Sequence, residues 1–228
     1  MNEVVLVTGG NRGLGKAFVE EALARGARKV YAAARDPRSV STPGAVPLAL
    51  DVTDPESVRR AAAEAPDVTV LINNAGITTG SSLLHGDLDD IRREFETNFY
   101  GTINVTRAFA PVLAANGGGH VLDVHSVLSW ISQGTSYSST KAAVWQATNA
   151  FRLELAAQGT KVTGLHVGYI DTDMTRGIDG PKASAQDVAR QALDGVEAGE
   201  FEVLADEISR TVKRGLSGDP AALYPQLV

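Results

Sequence analysis

Val4-Val5-Leu6-Val7 runs directly into Thr8-Gly9-Gly10-Asn11-Arg12-Gly13-Leu14-Gly15, and the fold is decided in this stretch. Four apolar residues without alternation predict a strand buried on both faces. Beyond them Leu14, Phe18 and Ala22 recur at helical spacing, and Gly26 is a stop signal. Gly9, Gly13 and Gly15 permit a tight turn, close approach of a phosphate and close packing of helix on strand. The helix N-terminus then offers free N–H groups to an anion. Glycine spacing alone fits either an ordinary strand–helix connection or a dinucleotide cradle, and the position after the first strand favours the cradle.

The same alternation continues along the chain. Val30–Ala33, Val46–Leu50, Val68–Ile72, His120–Val124, Lys161–Val167 and Phe201–Leu204 read as further strands. Asp54-Pro55 opens a helix, with aspartate as its cap and proline at the first position. Helices are expected from Leu88 to Leu113, from Tyr137 to Ala157 and from Ala185 to Glu197. About seven strands alternating with helices predict an α/β fold, a doubly wound parallel sheet of the Rossmann type with helices on both faces. There is no internal repeat or linker, so residues 1–228 are expected to form a single domain that both binds the dinucleotide and carries the chemistry.

Composition narrows the function. The chain carries 21 basic against 27 acidic residues, net charge -6, which argues against a broad nucleic-acid surface. There is no cysteine, so neither disulfides nor cysteine-ligated metal clusters can form. His85, His120, His125 and His166 lack close ligand spacing, and no metal is expected. No signal peptide and no apolar run near the ~20 residues of a membrane helix are seen. The expectation is a cytoplasmic protein without a membrane or nucleic-acid partner.

Three motifs carry a family resemblance: the glycine turn, Asn73-Asn74-Ala75-Gly76 after the fourth strand, and Tyr137-Ser138-Ser139-Thr140-Lys141. In this order and context they resemble the short-chain dehydrogenase/reductase family, from Val4 to about Met174. Tyrosine and lysine four apart share a helix face, and a nearby ammonium is expected to lower the phenol from its usual value near 10. Tyr137 is then the proton donor or acceptor. The resemblance implies that Lys141 holds the nicotinamide ribose and that Ser126, at a strand end, polarises the substrate carbonyl. Ser129 is a rival for that place. Asn98 lies one turn from Phe95 and Thr102, so it faces inward. The resemblance makes it the fourth catalytic residue, holding a water that relays protons to Lys141. A buried helix-bending amide is the plainer reading of Asn98.

For the cofactor, the resemblance implies contacts from Gly9, Asn11, Arg12, Gly13, Leu14, Gly15, Arg35, Asp51, Val52, Asn74, Ala75, Gly76, Tyr137, Lys141, Ile170 and Thr172. A simple strand-end cap is the alternative for Asp51. The second strand ends Ala33-Ala34-Arg35 with no acid until Asp36. Arg35 and Arg12 suit the 2′-phosphate of NADP; Asp36, shifted by one residue, would instead favour NAD. The family usually has proline before Gly168, where this chain has Val167. The implied substrate pocket is Thr78, Leu128, Trp130, Tyr169 and Met174, mostly apolar, for an uncharged carbonyl compound or alcohol. The leading expectation is an NADP-dependent carbonyl reductase or alcohol dehydrogenase; the alternative is a non-catalytic dinucleotide sensor on the same fold. The helix from Tyr137 is apolar nearly all round, which predicts a homodimer or homotetramer.

Overall fold

The computed structural model describes residues 2–224; Met1 and residues 225–228 lie outside the described residues. Among the described residues seven strands make one sheet: β1 (Val4–Thr8), β2 (Lys29–Ala34), β3 (Val46–Ala49), β4 (Val70–Asn73), β5 (His120–Val124), β6 (Lys161–His166) and β7 (Glu202–Leu204). Their order is β3-β2-β1-β4-β5-β6-β7, with every neighbouring pair parallel. The helices are α1 (Gly13–Ala24), α2 (Pro55–Glu64), α3 (Leu88–Phe95), α4 (Gly101–Ala115), α5 (Ser136–Glu154), α6 (Ala185–Ala198) and α7 (Glu207–Gly215).

Successive side chains of a strand point to opposite faces, so an unbroken apolar strand needs cover on both. Val5 and Val7 pack with Phe18 and Ala22 of α1 and with Val188, Ala192 and Leu193 of α6. Val4 and Leu6 pack with Val58 of α2, Phe109 and Leu113 of α4 and Phe151 of α5. Truncating a buried ring such as Phe18 or Phe109 to alanine costs about 3–5 kcal/mol. The chain winds from β1 outward to β3, then returns to β1's other side as β4. The order reverses between β1 and β4, and the crevice above their C-terminal ends is where open parallel sheets place ligands.

Three sequence expectations are corrected. The helix read from Leu88 to Leu113 runs on to Ala115 and contains a π-helical turn at Glu96–Tyr100, between α3 and α4. The backbone stays helical through that turn, and Gly101 at the start of α4 lies so close to Val52 that a Cβ there would come within 2.7 Å of Val52 Cγ2. The helix expected over Tyr137–Ala157 runs from Ser136 to Glu154 and is followed by a short 3₁₀ turn at Ala156–Gln158. The helix α7 is absent from the pattern of expected elements. Its start was nonetheless signalled by Asp206, whose carboxylate accepts from Ser209 N at 2.9 Å. No helix among the described residues is long and apolar enough to cross a membrane.

Candidate active site

The site grows from the loops at the C-terminal edge of the sheet. Gly9 (φ 66°) and Gly13 (φ 53°) adopt the left-handed backbone that glycine tolerates. Gly15 is held against the carbonyl of Gly9, and a Cβ on it would also come within 2.6 Å of Asn74 Nδ2. Thr8 joins this turn to the loop after β4. Its hydroxyl accepts from Asn74 N at 2.9 Å and Ala75 N at 3.0 Å, while Asn74 Nδ2 donates to Thr8 O at 2.9 Å. No side chain caps α1, so its first-turn N–H groups face the turn uncommitted to a capping residue. This cradle of glycines and helix donors fits a dinucleotide pyrophosphate. Leu14 is buried in the core, so the turn receives only its backbone. Thr172 approaches from the loop after β6; a Cβ on Gly13 would sit 3.4 Å from its methyl.

Asn11 Nδ2 donates to Ser39 Oγ at 3.0 Å, fastening the glycine turn to the segment after β2. Arg12 and Arg35 are exposed there and make no ion pair with another described residue. Asp36 is taken up by Arg38, which donates to it from Nε at 2.9 Å and Nη2 at 3.1 Å. Those bonds hold the Asp36 carboxyl below the usual carboxylate range. Asp51 Oδ1 accepts from Thr53 N at 3.0 Å and Thr53 Oγ1 at 2.7 Å, so one of its oxygens caps the following turn. Val52 is buried against Gly101. Gly76 lies against Asn98, 3.2 Å separating a built Cβ from Asn98 Oδ1.

Tyr137 and Lys141 share a face of the first turns of α5, with the ammonium 5.6 Å from the phenol ring centroid. Lys141 is 5% exposed and donates to Val124 O at 2.7 Å. Burial lowers it to about 8, and the buried carboxylate of Asp123 acts in the opposite direction. Asp123 accepts from Asn73 Nδ2 at 2.8 Å and Thr148 Oγ1 at 2.6 Å. Ser126 lies two residues beyond β5 and caps the 3₁₀ turn Val127–Ser129. Its Oγ accepts from Leu128 N at 3.1 Å and donates to Val167 O at 3.4 Å. Ser129 Oγ accepts from Ser126 N at 3.4 Å, so the two serines form one reciprocal cap. Val167, where the family usually has proline, also accepts from Val127 N at 2.9 Å and carries the strand pairing one step into the loop.

Asn98 lies buried in the π turn. Its Oδ1 accepts from Ile77 N at 2.8 Å, and its Nδ2 donates to Ile77 O at 2.9 Å and Thr140 Oγ1 at 3.0 Å. The amide therefore locks the loop after β4 to α5. The expected lowering of Tyr137 by Lys141 is not what the structure gives. Burial, with a smaller contribution from the Glu94 carboxylate, pushes the phenol well above its ordinary value. Glu94 was missed in the sequence, as was Asp123. Glu94 stands four residues before Asn98 on the inward side of α3, and an acid at such a position was the available signal.

Trp130 is half-buried and lines a cavity together with Leu128 and Ser138. Its indole stacks on His166 with centroids 3.9 Å apart, and Trp145 meets it edge-on at 6.2 Å. Lys213 Nζ lies 5.0 Å from its ring. These contacts with β6 and α5 hold the indole at the cavity wall. Thr78 and Met174 are exposed, Leu128 is half-buried, and Tyr169 OH donates to Gln133 Oε1 at 2.8 Å, joining the loops after β5 and β6. Ile170 bridges to Ala183 behind Thr172.

The sequence model of the short chain dehydrogenase family matches residues 3–182. Oxidoreductase BOA17 of Botryotinia fuckeliana is 33% identical over 186 residues, 76% of this chain and 68% of that protein. The 3-oxoacyl-[acyl-carrier-protein] reductase FabG of Escherichia coli is 29% identical over 187 residues, 77% of each. The crystal structure of a short-chain dehydrogenase from Burkholderia cenocepacia in complex with NADP superposes with a TM-score of 0.94 at 38% identity, covering 100% of this chain and 98% of that one. With the glycine cradle, the Tyr137–Lys141 pair and the sheet order all in place, the chain belongs to the short-chain dehydrogenase/reductase family.

Proposed function

We propose that this oxidoreductase uses NADPH to reduce an uncharged, moderately apolar ketone or aldehyde to its alcohol, and can run the reverse reaction. The observation that carries the reading is the Tyr137–Lys141 pair, the ammonium 5.6 Å from the phenol ring and bonded to Val124 O, two residues before Ser126. Bound there, the nicotinamide supplies a hydride. Ser126 Oγ, just beyond β5, donates a hydrogen bond to the carbonyl oxygen as negative charge develops on it. Tyr137 donates its phenolic proton to that oxygen. Lys141 holds the ribose and its positive charge steadies the tyrosine as it loses the proton. Asn98 keeps the loop after β4 in register with α5. The dinucleotide and catalytic residues all belong to one domain.

Arg12 and Arg35 are assigned to the 2′-phosphate because Asp36, the residue that would favour NAD, is engaged by Arg38. The similarity to an NADP-bound structure and to a reductase supports both parts of the reading. Leu128, Tyr169, Met174 and Thr78 are assigned to the substrate side. A homodimer or homotetramer is also proposed: Leu153 of α5 is 81% exposed beside half-buried Ala143, Ala147 and Ala150. A light-scattering mass near 23.9 kDa would argue against it.

The test is Tyr137→Phe, assayed by loss of NADPH absorbance with a panel of aldehydes and ketones. Only the hydroxyl is removed, so NADPH binding is retained while turnover falls by about 10²–10⁴-fold. Native protein that binds NADPH tightly but turns over no substrate overturns the catalytic reading in favour of a sensor.

A further inference from the structure

We propose that His166 is a positioning residue of this site: its Nδ1–H holds the backbone carbonyl of Ser126, which aims the serine hydroxyl at the substrate, and its ring backs Trp130 at the cavity wall. This rests on the reading of Ser126 as the group that polarises the substrate carbonyl.

His166 is the last residue of β6 and is 0% exposed. Its Nδ1 lies 3.3 Å from Ser126 O. A carbonyl oxygen only accepts, so Nδ1 carries the proton of the neutral ring and Nε2 is bare. The far side of the ring agrees. Glu202 Oε1 stands 3.9 Å from Nε2, outside hydrogen-bonding range. Two acceptors face each other there; a proton on Nε2 would draw the carboxylate closer. Glu202 is held instead by Lys213, whose Nζ donates to its Oε2 at 2.6 Å. Burial, with Lys213 and Arg152 acting the same way and Glu202 the opposite, keeps the imidazole below its ordinary value and therefore neutral.

The end of β6 grips the serine at several points. Val127 N donates to Val167 O at 2.9 Å, and Ser126 Oγ donates to the same oxygen at 3.4 Å. The Ser126 carbonyl accepts from Ser129 N at 3.0 Å and from His166 Nδ1, which occupies both of its lone pairs. The peptide between Ser126 and Val127 is thus pinned at its oxygen and at its nitrogen to consecutive residues, His166 and Val167. Rotation of that peptide would swing the serine side chain, and the imidazole resists it. The indole of Trp130 stacks on the same ring, with centroids 3.9 Å apart and planes 15° apart, and lines the cavity. One buried ring therefore sets both the serine and the apolar wall beside it.

Two substitutions separate the bond from the packing. His166→Asn offers an amide N–H near the Nδ1 position and loses the ring; His166→Phe keeps a ring under Trp130 and loses the donor. Folding is followed by circular dichroism and NADPH affinity by fluorescence titration, and both stay near native. With a panel of aldehydes and ketones, His166→Phe lowers kcat by about 10–100-fold, the range between one lost hydrogen bond and a serine displaced by about 1 Å. His166→Asn keeps kcat close to native. In a Ser126→Ala background, His166→Phe brings no further loss, because the histidine acts through the serine. Native kcat in His166→Phe overturns the proposal, as does an undiminished further loss without the serine hydroxyl, or an impaired His166→Asn beside an active His166→Phe. The tautomer is read without turnover, by long-range proton–nitrogen NMR of the native protein with the ring assigned through its backbone. A proton on Nδ1 and a bare Nε2 are expected; a proton on Nε2 overturns the proposal even where the variants do not fold. Native turnover in Ser126→Ala would defeat the reading of the serine, and is seen apart from the tautomer, which reports only the bond.

Discussion

The ammonium of Lys141 donates to the carbonyl oxygen of Val124 at 2.7 Å, tying the Tyr137–Lys141 face of α5 to the last residue of β5, two residues before Ser126. That bond, and Asp123 beneath it, explain how a cation 5% exposed is tolerated. Lys141 sits at about 8, so its charge is present below that pH and lost above it. Reductive kcat/KM is expected to fall as pH rises through about 8. Asp123→Asn removes the carboxylate that supports the charge, and the fall is expected about one pH unit lower. A pH–rate profile of the two proteins between about pH 6 and 10 checks this, and superimposable profiles would refute it.

Cofactor choice is expected to rest on Arg12 and Arg35. Each guanidinium offers donors in a fixed fork to a dianionic phosphate, a contact of about 1.5–3 kcal/mol. Arg35→Ala and Arg12→Ala should each weaken NADPH binding by about 10–150-fold and leave NADH binding nearly unchanged. Fluorescence titration with both cofactors reads the effect. Equal kcat/KM for NADPH and NADH in the native protein would contradict it.

Gly15→Ala is expected to damage both the fold and the cradle. Its methyl would strike the carbonyl of Gly9 and approach Asn74 Nδ2 within 2.6 Å, and the first of these is backbone that cannot swing aside. Overpacking of this kind costs about 1–3 kcal/mol. A lower Tm together with weaker NADPH binding is the expected pair of results. A variant with native Tm and native affinity would show that the turn yields easily.

Acid should destabilise the protein through its buried histidines. His120 accepts or donates one bond, to Thr163 Oγ1 at 2.7 Å, and burial lowers it to about 4. Burial likewise lowers His125 and His166, whose rings lie 4.8 Å apart. The folded chain keeps these rings neutral while the unfolded chain binds protons near pH 6.5. Their contribution to stability is therefore complete above about pH 6.5 and is lost as pH falls toward 4. For His120 alone the loss reaches about 3 kcal/mol. At about pH 5 this should lower Tm by about 5 °C relative to neutral pH, and His120→Gln should blunt the drop. Equal Tm values at the two pH values would rule the argument out.

Local pattern was enough for most of the architecture. The unbroken apolar run Val4–Val7 implied cover on both faces, and Asp54-Pro55 announced α2 through its own capping chemistry. Gly9, Gly13 and Gly15 announced the cradle because the backbone conformations and close approaches there exclude a side chain. Tyr137 and Lys141 were legible as a pair because a helix places residues four apart on one face. The π turn around Asn98 was not legible, since its stabilisation comes from partners at Ile77 and Thr140, far away in the chain. The packing of His166 and Trp145, from other elements, around the Trp130 ring was equally out of reach of local pattern.

Neighbouring residues fix the seven strands, most of the helices, their order along the chain and the residue types at the strand ends, because periodicity, capping and glycine geometry are local properties. Only the tertiary structure decided the electrostatics of the site. Glu94 and Asp123 lie 43 and 14 residues from Tyr137 along the chain, yet the fold buries one against the first turn of α5 and the other beneath Lys141. The protonation of a buried group depends on desolvation and on charges within a few ångströms, and those distances exist only once the sheet has brought α3, β5 and α5 together.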